Sequence, residues 1–456
     1  MATMLRSLAH RNFRLFFIGQ GMSLIGTWMQ TTAMAWLVND ITAVPSGSHH
    51  GDPFWLTMVV FATQIPGLIL GPISGVVTDR FRRRPILYIT QTLMMLQAFV
   101  LAWLAYSGTI AIWHLIVLGA FIGVVSTFDV TARQAFLTQM VGGHPDDLAN
   151  AIALNSSLFN GARLIGPALA GGMLALGIGE GTCFLLNGFS YLAVLGALWA
   201  MRLHEAKPAT LTRGWRTMVE GARYTFGSRP ILAILLLVAV VSLVGTPYAA
   251  LLPIFAVRNL QGGPGMYGLL TAASGVGALA GALYMAARKT VLGLGRVIAA
   301  APAVFGVGLI VFAFSTTLWL SLPALALMGF AVMTQMASSN TILQTIVDED
   351  KRGRVMSFYA TAFLGFAPMG ALAAGGLAEV FGAPLTVAVG GVVCIFAGLI
   401  FASQLPGIRD HIRPIYRRIG ILPELAQGIQ EASEPRTALV DEDLRSETGE
   451  AELLKK

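Results

Sequence analysis

The chain has 456 residues, of which 55% are hydrophobic and only 12% charged, with a mean hydropathy of +0.71. Soluble domains charge about a quarter of their residues, so this composition excludes one and requires a polytopic membrane protein. The net charge of +7 does not indicate nucleic acid, because the basic residues mark loops instead of forming one face or groove.

The 51 glycines and 20 prolines suit a helical bundle, since neighbouring membrane helices re-satisfy the backbone groups these residues free. Cys183 and Cys394 both fall in apolar runs and predict neither a disulfide framework nor a thiolate metal site. At about 20 apolar residues per bilayer crossing, the sequence predicts twelve spans. They lie near 13–39, 53–77, 86–107, 110–138, 149–177, 182–202, 229–257, 264–287, 295–315, 318–346, 354–380 and 384–405.

The first span is too long for a cleavable signal peptide, and it carries Gln20 and Gln30. The second carries Gln64, then Gly67, Gly71 and Gly75, and ends in Asp79, Arg80, Arg82, Arg83 and Arg84. In the fourth, Asp129 is the one carboxylate placed inside a span, one turn before Arg133. It competes for three roles: partner of Arg83 or Arg133, proton carrier, or substrate contact.

Span five holds Asn155, Asn160 and Arg163, the last near mid-bilayer and too deep to snorkel. Arg163 therefore faces protein or a water-filled cavity. There it attracts an anion, depresses a carboxylate's pKa as part of proton coupling, or is tied to carbonyls. Gly166, Pro167, Gly171 and Gly172 follow, small and bendable enough for a pivot between spans five and eight. Gly277 and Gly281 on span eight offer a GxxxG surface for that contact.

Tyr248 in span seven, Gln335 and Asn340 in span ten and Tyr359 in span eleven complete a candidate cavity with Gln20, Gln30, Gln64, Asn155 and Asn160. Amides in an apolar span need partners, which a neighbouring helix or a ligand supplies. With Met22, Met29, Trp36 and Phe358 nearby, the cavity would accept a small amphipathic molecule.

The polar stretch 203–228 separates a six-span bundle at 1–202 from another at 229–405; the tail, 406–456, begins with a short interfacial helix and continues as a disordered acidic segment. A shift of 206 positions lays Gly71 and Gly75 on Gly277 and Gly281, and Arg82 and Arg83 on Arg288 and Lys289. Six spans per half give parallel repeats about an axis along the membrane normal. Basic residues concentrate in the even connections and both tails, which the positive-inside rule places in the cytoplasm.

The stretch GVVTDRFRRRP, Gly75 to Pro85, resembles the signature between helices two and three of the major facilitator superfamily, with Gly75, Asp79, Arg80, Arg83 and Arg84 in the matching positions. ARLIGPALAGG, Ala162 to Gly172, is similar to the helix-five motif associated with antiporters, and DVTARQAFLTQMV with LANAIALN looks most like the branch of siderophore, macrolide and multidrug exporters. The resemblance covers almost the whole chain. It implies an all-α transporter of twelve helices in a bacterial inner membrane. It further implies that Asp79 faces the start of helix eleven near Arg354, and that an arginine of the cluster reaches Asp129. Together these would form a latch on the inner face.

No GxxxxGK[ST], HExxH or nucleophile elbow is present, so neither direct ATP use nor catalysis is expected, and no cofactor or metal. The expected function is proton-coupled export of an amphipathic small molecule by a monomer that also meets membrane lipids. A lipid or lysophospholipid flippase and a non-transporting sensor on the same scaffold stay open.

Overall fold

A backbone crossing hydrocarbon must satisfy its own N–H and C=O groups, and every apolar run here does so as a helix. The computed structural model describes residues 6–43, 51–141, 145–202, 222–288 and 290–418, the side chains of Pro72, Asp79, Pro145, Asp146, Ala149 and Asp350 excepted. Most of the 203–228 connection and the acidic tail beyond Arg418 thus lie outside the described residues.

Twelve long helices follow in order among the described residues: α1 (Arg11–Ile41), α2 (Pro53–Arg80), α3 (Arg83–Tyr106), α4 (Ile112–Met140), α5 (Pro145–Ala175) and α6 (Glu180–Ala200), then α7 (Arg229–Asn259), α8 (Pro264–Ala287), α9 (Leu294–Ala313) and α10 (Leu318–Ile346). The eleventh, α11, joins Glu349–Ala360, Thr361–Gly365 and Phe366–Phe381, and α12 is Ala383–Arg418. Ten of these are long and apolar enough to cross a membrane. The other two, α1 and α5, have the length, but Gln20, Thr27, Gln30 and Thr31 in α1, and Asn155, Asn160 and Arg163 in α5, lower their hydropathy.

The spans start and stop for local reasons. Asp52 caps α2 by accepting the Phe54 N–H at 2.8 Å, and Pro53 occupies the first turn, where its missing N–H costs nothing. Gly382, at φ +84, reverses the chain between α11 and α12. Among the described residues three π turns interrupt the ladder, at Val241–Gly245 and Phe255–Asn259 in α7 and at Thr361–Gly365 in α11. Such turns release carbonyls from the ladder, and the Ser242 hydroxyl donates to the freed Phe363 carbonyl, joining two of them.

The tail departs from expectation. In place of a separate interfacial helix after Pro406, α12 runs unbroken through Pro406 and Pro414 to Arg418, each proline removing one donor without ending the helix. The described residues up to Ser403 belong to one compact unit, and those from Gln404 to Arg418 to another.

Within the first unit the buried core is asymmetric along the helix axes. At the end away from Arg80–Arg84, one apolar cluster is continuous across the chain: Leu37, Leu56, Leu101, Leu115 and Phe184 pack with Leu251, Tyr267, Phe312, Leu325 and Val387. At the arginine end, Phe13, Phe16, Leu87, Phe136, Leu137 and Leu198 form a cluster drawn from α1, α3, α4, α5 and α6 alone. The later helices bury side chains of their own at that end, Ile231, Ile234, Ile298, Leu343 and Ile346 among them, so among the described residues the cluster shared by both halves is the one away from the arginines. Outside, exposed Trp103, Trp113 and Trp319 stand near one set of helix ends and Trp199 near the other, as interfacial anchors do.

Candidate functional site

At the arginine end, the cluster caps helices. Arg83 donates to the Ala135 carbonyl at 3.0 Å, near the end of α4, and Arg84 to the carbonyls of Leu198 at 2.5 Å and Met201 at 3.3 Å, at the end of α6. Cations at helix C-termini complement the orphan carbonyls and the dipole. In this arrangement Arg83 meets α4 through a main-chain carbonyl, available at any residue type, while Asp129 has the other expected partner, Arg133, in its own helix.

Arg80 and Arg82 are exposed, Arg354 half-buried, and the side chain of Asp79 lies outside the described ones. A Cβ built on Gly71 or Gly75 would meet nothing within 4 Å, so the arginine end of α2 packs closely against no helix at those positions. Nearer the middle of α2, Leu68 touches Gly365 of α11, and towards its start Thr57 lies directly against Gly375. Gln64, exposed, sits one turn from Leu68 on the same face.

Asp129 is 3% exposed. It accepts from the Thr90 hydroxyl at 2.9 Å and the Gln91 amide at 2.8 Å, and Arg133 stands 3.6 Å away at i, i+4. A buried carboxylate with two donors and a cation is a satisfied group. Deeper in the same bundle a second polar chain crosses three helices: Asn187 donates to Gln30 at 2.8 Å, and Gln30 to Gln97 at 3.0 Å. Gln30, expected to line the cavity, is instead buried in this network. Three amides in apolar spans supply one another's partners.

The remaining cavity candidates divide. Tyr248 is buried and shares a 3.0 Å hydrogen bond with Ser274, and Tyr359 donates to the Met336 carbonyl at 2.9 Å. Asn160 donates to the Ser156 carbonyl one turn back, and Asn340 accepts from Gln344. Asn155 is half-buried. By contrast, the buried Gln335 Nε2 and Gln20 Oε1 have no partner among the described residues. Gln335 lines a small cleft with Val241, Ser242, Thr246, Met336 and Phe363, where the paired π turns face α10.

Arg163 is half-buried, its guanidinium 5.7 Å from the centre of the Trp28 ring. No described carboxylate pairs with it.

The pivot is partly redrawn. Gly171 and Pro167 do meet α8: a Cβ on Gly268 would lie 2.6 Å from the Pro167 carbonyl oxygen and 2.7 Å from the Gly171 Cα. Gly166, however, faces Trp28 and Ile25 of α1, and nothing lies within 4 Å of the Gly172 Cβ position. Nor does the Gly277, Gly281 pair meet α5. It packs on Ala326 and Phe330 of α10, while Gly268 and Gly275 serve α5. A GxxxG period states that some helix approaches closely, not which one.

Sequence reasoning passed over Thr90, Gln91, Gln97, Asn187 and Trp28. The amides were visible as polar residues in apolar spans; nothing in the sequence signals the π turns. Residues 222–227 were also overlooked: Phe226 meets Phe358 edge-on at 5.5 Å and Lys351 lies 4.6 Å over the Tyr224 ring, so the end of the inter-bundle connection docks on the start of α11. Burial there pushes the Tyr224 phenol up, and the Asp348 carboxylate adds to the shift. Among the described residues no cluster of three or more His, Cys, Asp or Glu could hold a metal.

Residues 2–441 match the family described as Transmembrane secretion effector. The multidrug efflux pump Tap of Mycolicibacterium fortuitum is 28% identical over 405 residues, covering 84% of this chain and 93% of that protein. The staphyloferrin A transporter of Staphylococcus aureus is 23% identical over 394 residues, covering 85% and 95%. Among solved structures, the POT family transporter PepTSo shares the fold with a TM-score of 0.68 at 13% identity, covering 88% of this chain and 99% of that one.

Proposed function

The chain belongs to the transmembrane secretion effector family of the major facilitator superfamily, a multi-pass transporter of a bacterial inner membrane and not an enzyme, and from that premise we propose that it exports an amphipathic drug-like or siderophore-like molecule by alternating access, in exchange for protons. Two six-helix bundles, 1–202 and 229–405, joined by 203–228, act as the moving bodies, and the tail 406–456 stays on the cytoplasmic side with the N-terminus. The arginine end faces the cytoplasm by the positive-inside rule.

One observation carries the reading. The described apolar cluster at the end away from the arginines joins residues of both halves of the chain, whereas the described cluster at the arginine end draws on the first half alone, the second half burying its own side chains there, Ile231, Ile298 and Leu343 among them. This asymmetry supports reading the arrangement as open towards the cytoplasm, with the opposite gate shut. In the other state the arginine end closes, Asp79 meets the start of α11 near Arg354, and the α5–α8 approach loosens. Asp129 is the proposed proton carrier, because protonation would weaken its hold on Arg133 and on the start of α3. Packed interfaces of this kind have two discrete arrangements, not a continuum.

The relatives' substrates, a range of drugs for one pump and staphyloferrin A for another transporter, support export of a small organic molecule. Purified protein in vesicles tests it: an imposed proton gradient, acid outside relative to the cytoplasmic face, should drive uphill movement of an amphipathic dye, and collapse of the gradient should abolish it. Gradient-independent translocation of a fluorescent lysophospholipid would point instead to lipid flipping.

A further inference from the structure

We propose that Arg163, with Trp28 and Phe159, forms an anion-recognition subsite, so that the transported molecule carries a carboxylate beside an aromatic or apolar body. The inference rests on the export reading above and narrows its substrate class.

Arg163 lies 18 residues into α5, about 27 Å along the helix from Pro145 and about 18 Å from Ala175. A guanidinium at that depth is costly unless it faces protein or water and is neutralised. The other arginines contrast with it. Arg83 and Arg84 hold helix-end carbonyls, Arg133 holds Asp129, and Arg6 holds Asp147 at 2.6 Å. Arg163 has the indole of Trp28 at 5.7 Å and lies within electrostatic reach of the buried Tyr248, but makes no hydrogen bond or ion pair among the described residues.

Neighbouring contacts fix where it points. Gly166, one turn on, is pressed against Trp28 and Ile25 of α1, so this face of α5 looks at α1 and not at lipid. Leu164, beside it, touches Gly275 of α8, and further towards the arginine end a Cβ on Gly161 would meet nothing within 4 Å. Arg163 therefore stands at the level where the helices that close the far gate begin to part, on the floor of the proposed opening.

The chemistry follows from the cation–π contact. A cation–π contact uses none of the guanidinium's N–H donors, and two of these match the two oxygens of a carboxylate. Phe159, 44% exposed, meets Trp28 edge-on at 5.7 Å, and the two rings offer apolar surface next to the charge. A molecule with an acid group and an aromatic or aliphatic body satisfies both at once; a neutral analogue of the same shape satisfies only the rings.

The test uses matched pairs differing only in that charge, such as 1-naphthaleneacetate and 1-naphthaleneacetamide with larger acid and amide pairs of the same kind. Binding and flux are measured with the full chain in phosphatidylcholine vesicles, which hold no anionic headgroups. The wild type should favour acids over amides by about tenfold, the equivalent of about 1.4 kcal/mol. Arg163→Gln should erase that preference by weakening acid binding while amide binding stays as it was, which also reports an intact fold; Arg163→Lys should restore part of it. Equal treatment of acids and amides by the wild type, or a preference surviving in Arg163→Gln, would overturn the subsite and leave export standing. A preference appearing only when phosphatidylglycerol is added would assign the guanidinium to lipid headgroups and also overturn it. Absence of flux for every pair would overturn both readings.

Discussion

Gly171 on α5 and Gly268 on α8 approach so closely that a Cβ on either would stand 2.7 Å from the Cα of the other. Backbone meets backbone here, so no flexible side chain can yield. The contact fastens the two bundles at the end away from the arginines, and it exists only because both residues lack a side chain.

Gly268→Val should therefore force that gate apart. Overpacking of this kind costs about 1–3 kcal/mol, enough to shift a two-state equilibrium by roughly 5- to 150-fold. The variant should reach the membrane in normal amount and lose efflux, with faster labelling of a cysteine placed at the α8 start by an impermeant maleimide applied outside. Gly172→Ala, whose Cβ would meet nothing, should behave as wild type in both measurements.

Asp129 holds three groups in place, and its two simplest substitutions separate structure from coupling. Asp129→Ala leaves the Thr90 hydroxyl, the Gln91 amide and Arg133 without their acceptor and should lower stability by about 1–3 kcal/mol in a thermal unfolding assay. Asp129→Asn keeps the volume and one acceptor oxygen, so it should unfold closer to wild type yet fail to couple flux to a pH gradient. Undiminished coupling in the Asn protein would remove Asp129 as the proton carrier and leave it a scaffold residue.

Asp79 stands in the last turn of α2, one residue before exposed Arg80, and on the turns before it Gly71 and Gly75 have no close neighbour. In the proposed cycle its carboxylate acts only when the arginine end closes. Asp79→Ala should thus leave insertion and thermal stability near wild type while reducing efflux at least tenfold, whereas Arg84→Ala, which removes a helix cap holding α6, should lower stability instead. Full efflux by the Asp79→Ala protein would take the latch out of the mechanism.

The spans were legible because hydrocarbon thickness imposes a length and composition that nothing else in the chain imitates; even α1 and α5, with Gln20, Gln30 and Arg163 inside them, read as crossings. Position was legible for Asp129 and Arg163, since charges inside apolar runs stand out. Partners were not. Arg83 meets a carbonyl at Ala135, and a carbonyl belongs to every residue. Gln30 meets Gln97 and Asn187, and only the packing of α1 between α3 and α6 decides that pairing. The facing π turns at Val241–Gly245 and Thr361–Gly365 depend on tertiary contacts such as Ser242 to Phe363, which no local propensity encodes.

Alternating access requires the two ends of the α2–α11 pair to move in opposite senses, and paired spin labels read that directly. In a protein with Cys183 and Cys394 replaced, one pair is placed at Val76 and Ser357, at the arginine end, and another at Phe54 and Val380, at the opposite end. Under a proton gradient with substrate present, the first distance should shorten and the second lengthen, each by several ångströms, in the same population of molecules. Distances that both stay fixed during active transport, or that change in the same direction, would contradict the rocking of two bundles on which the proposed mechanism depends.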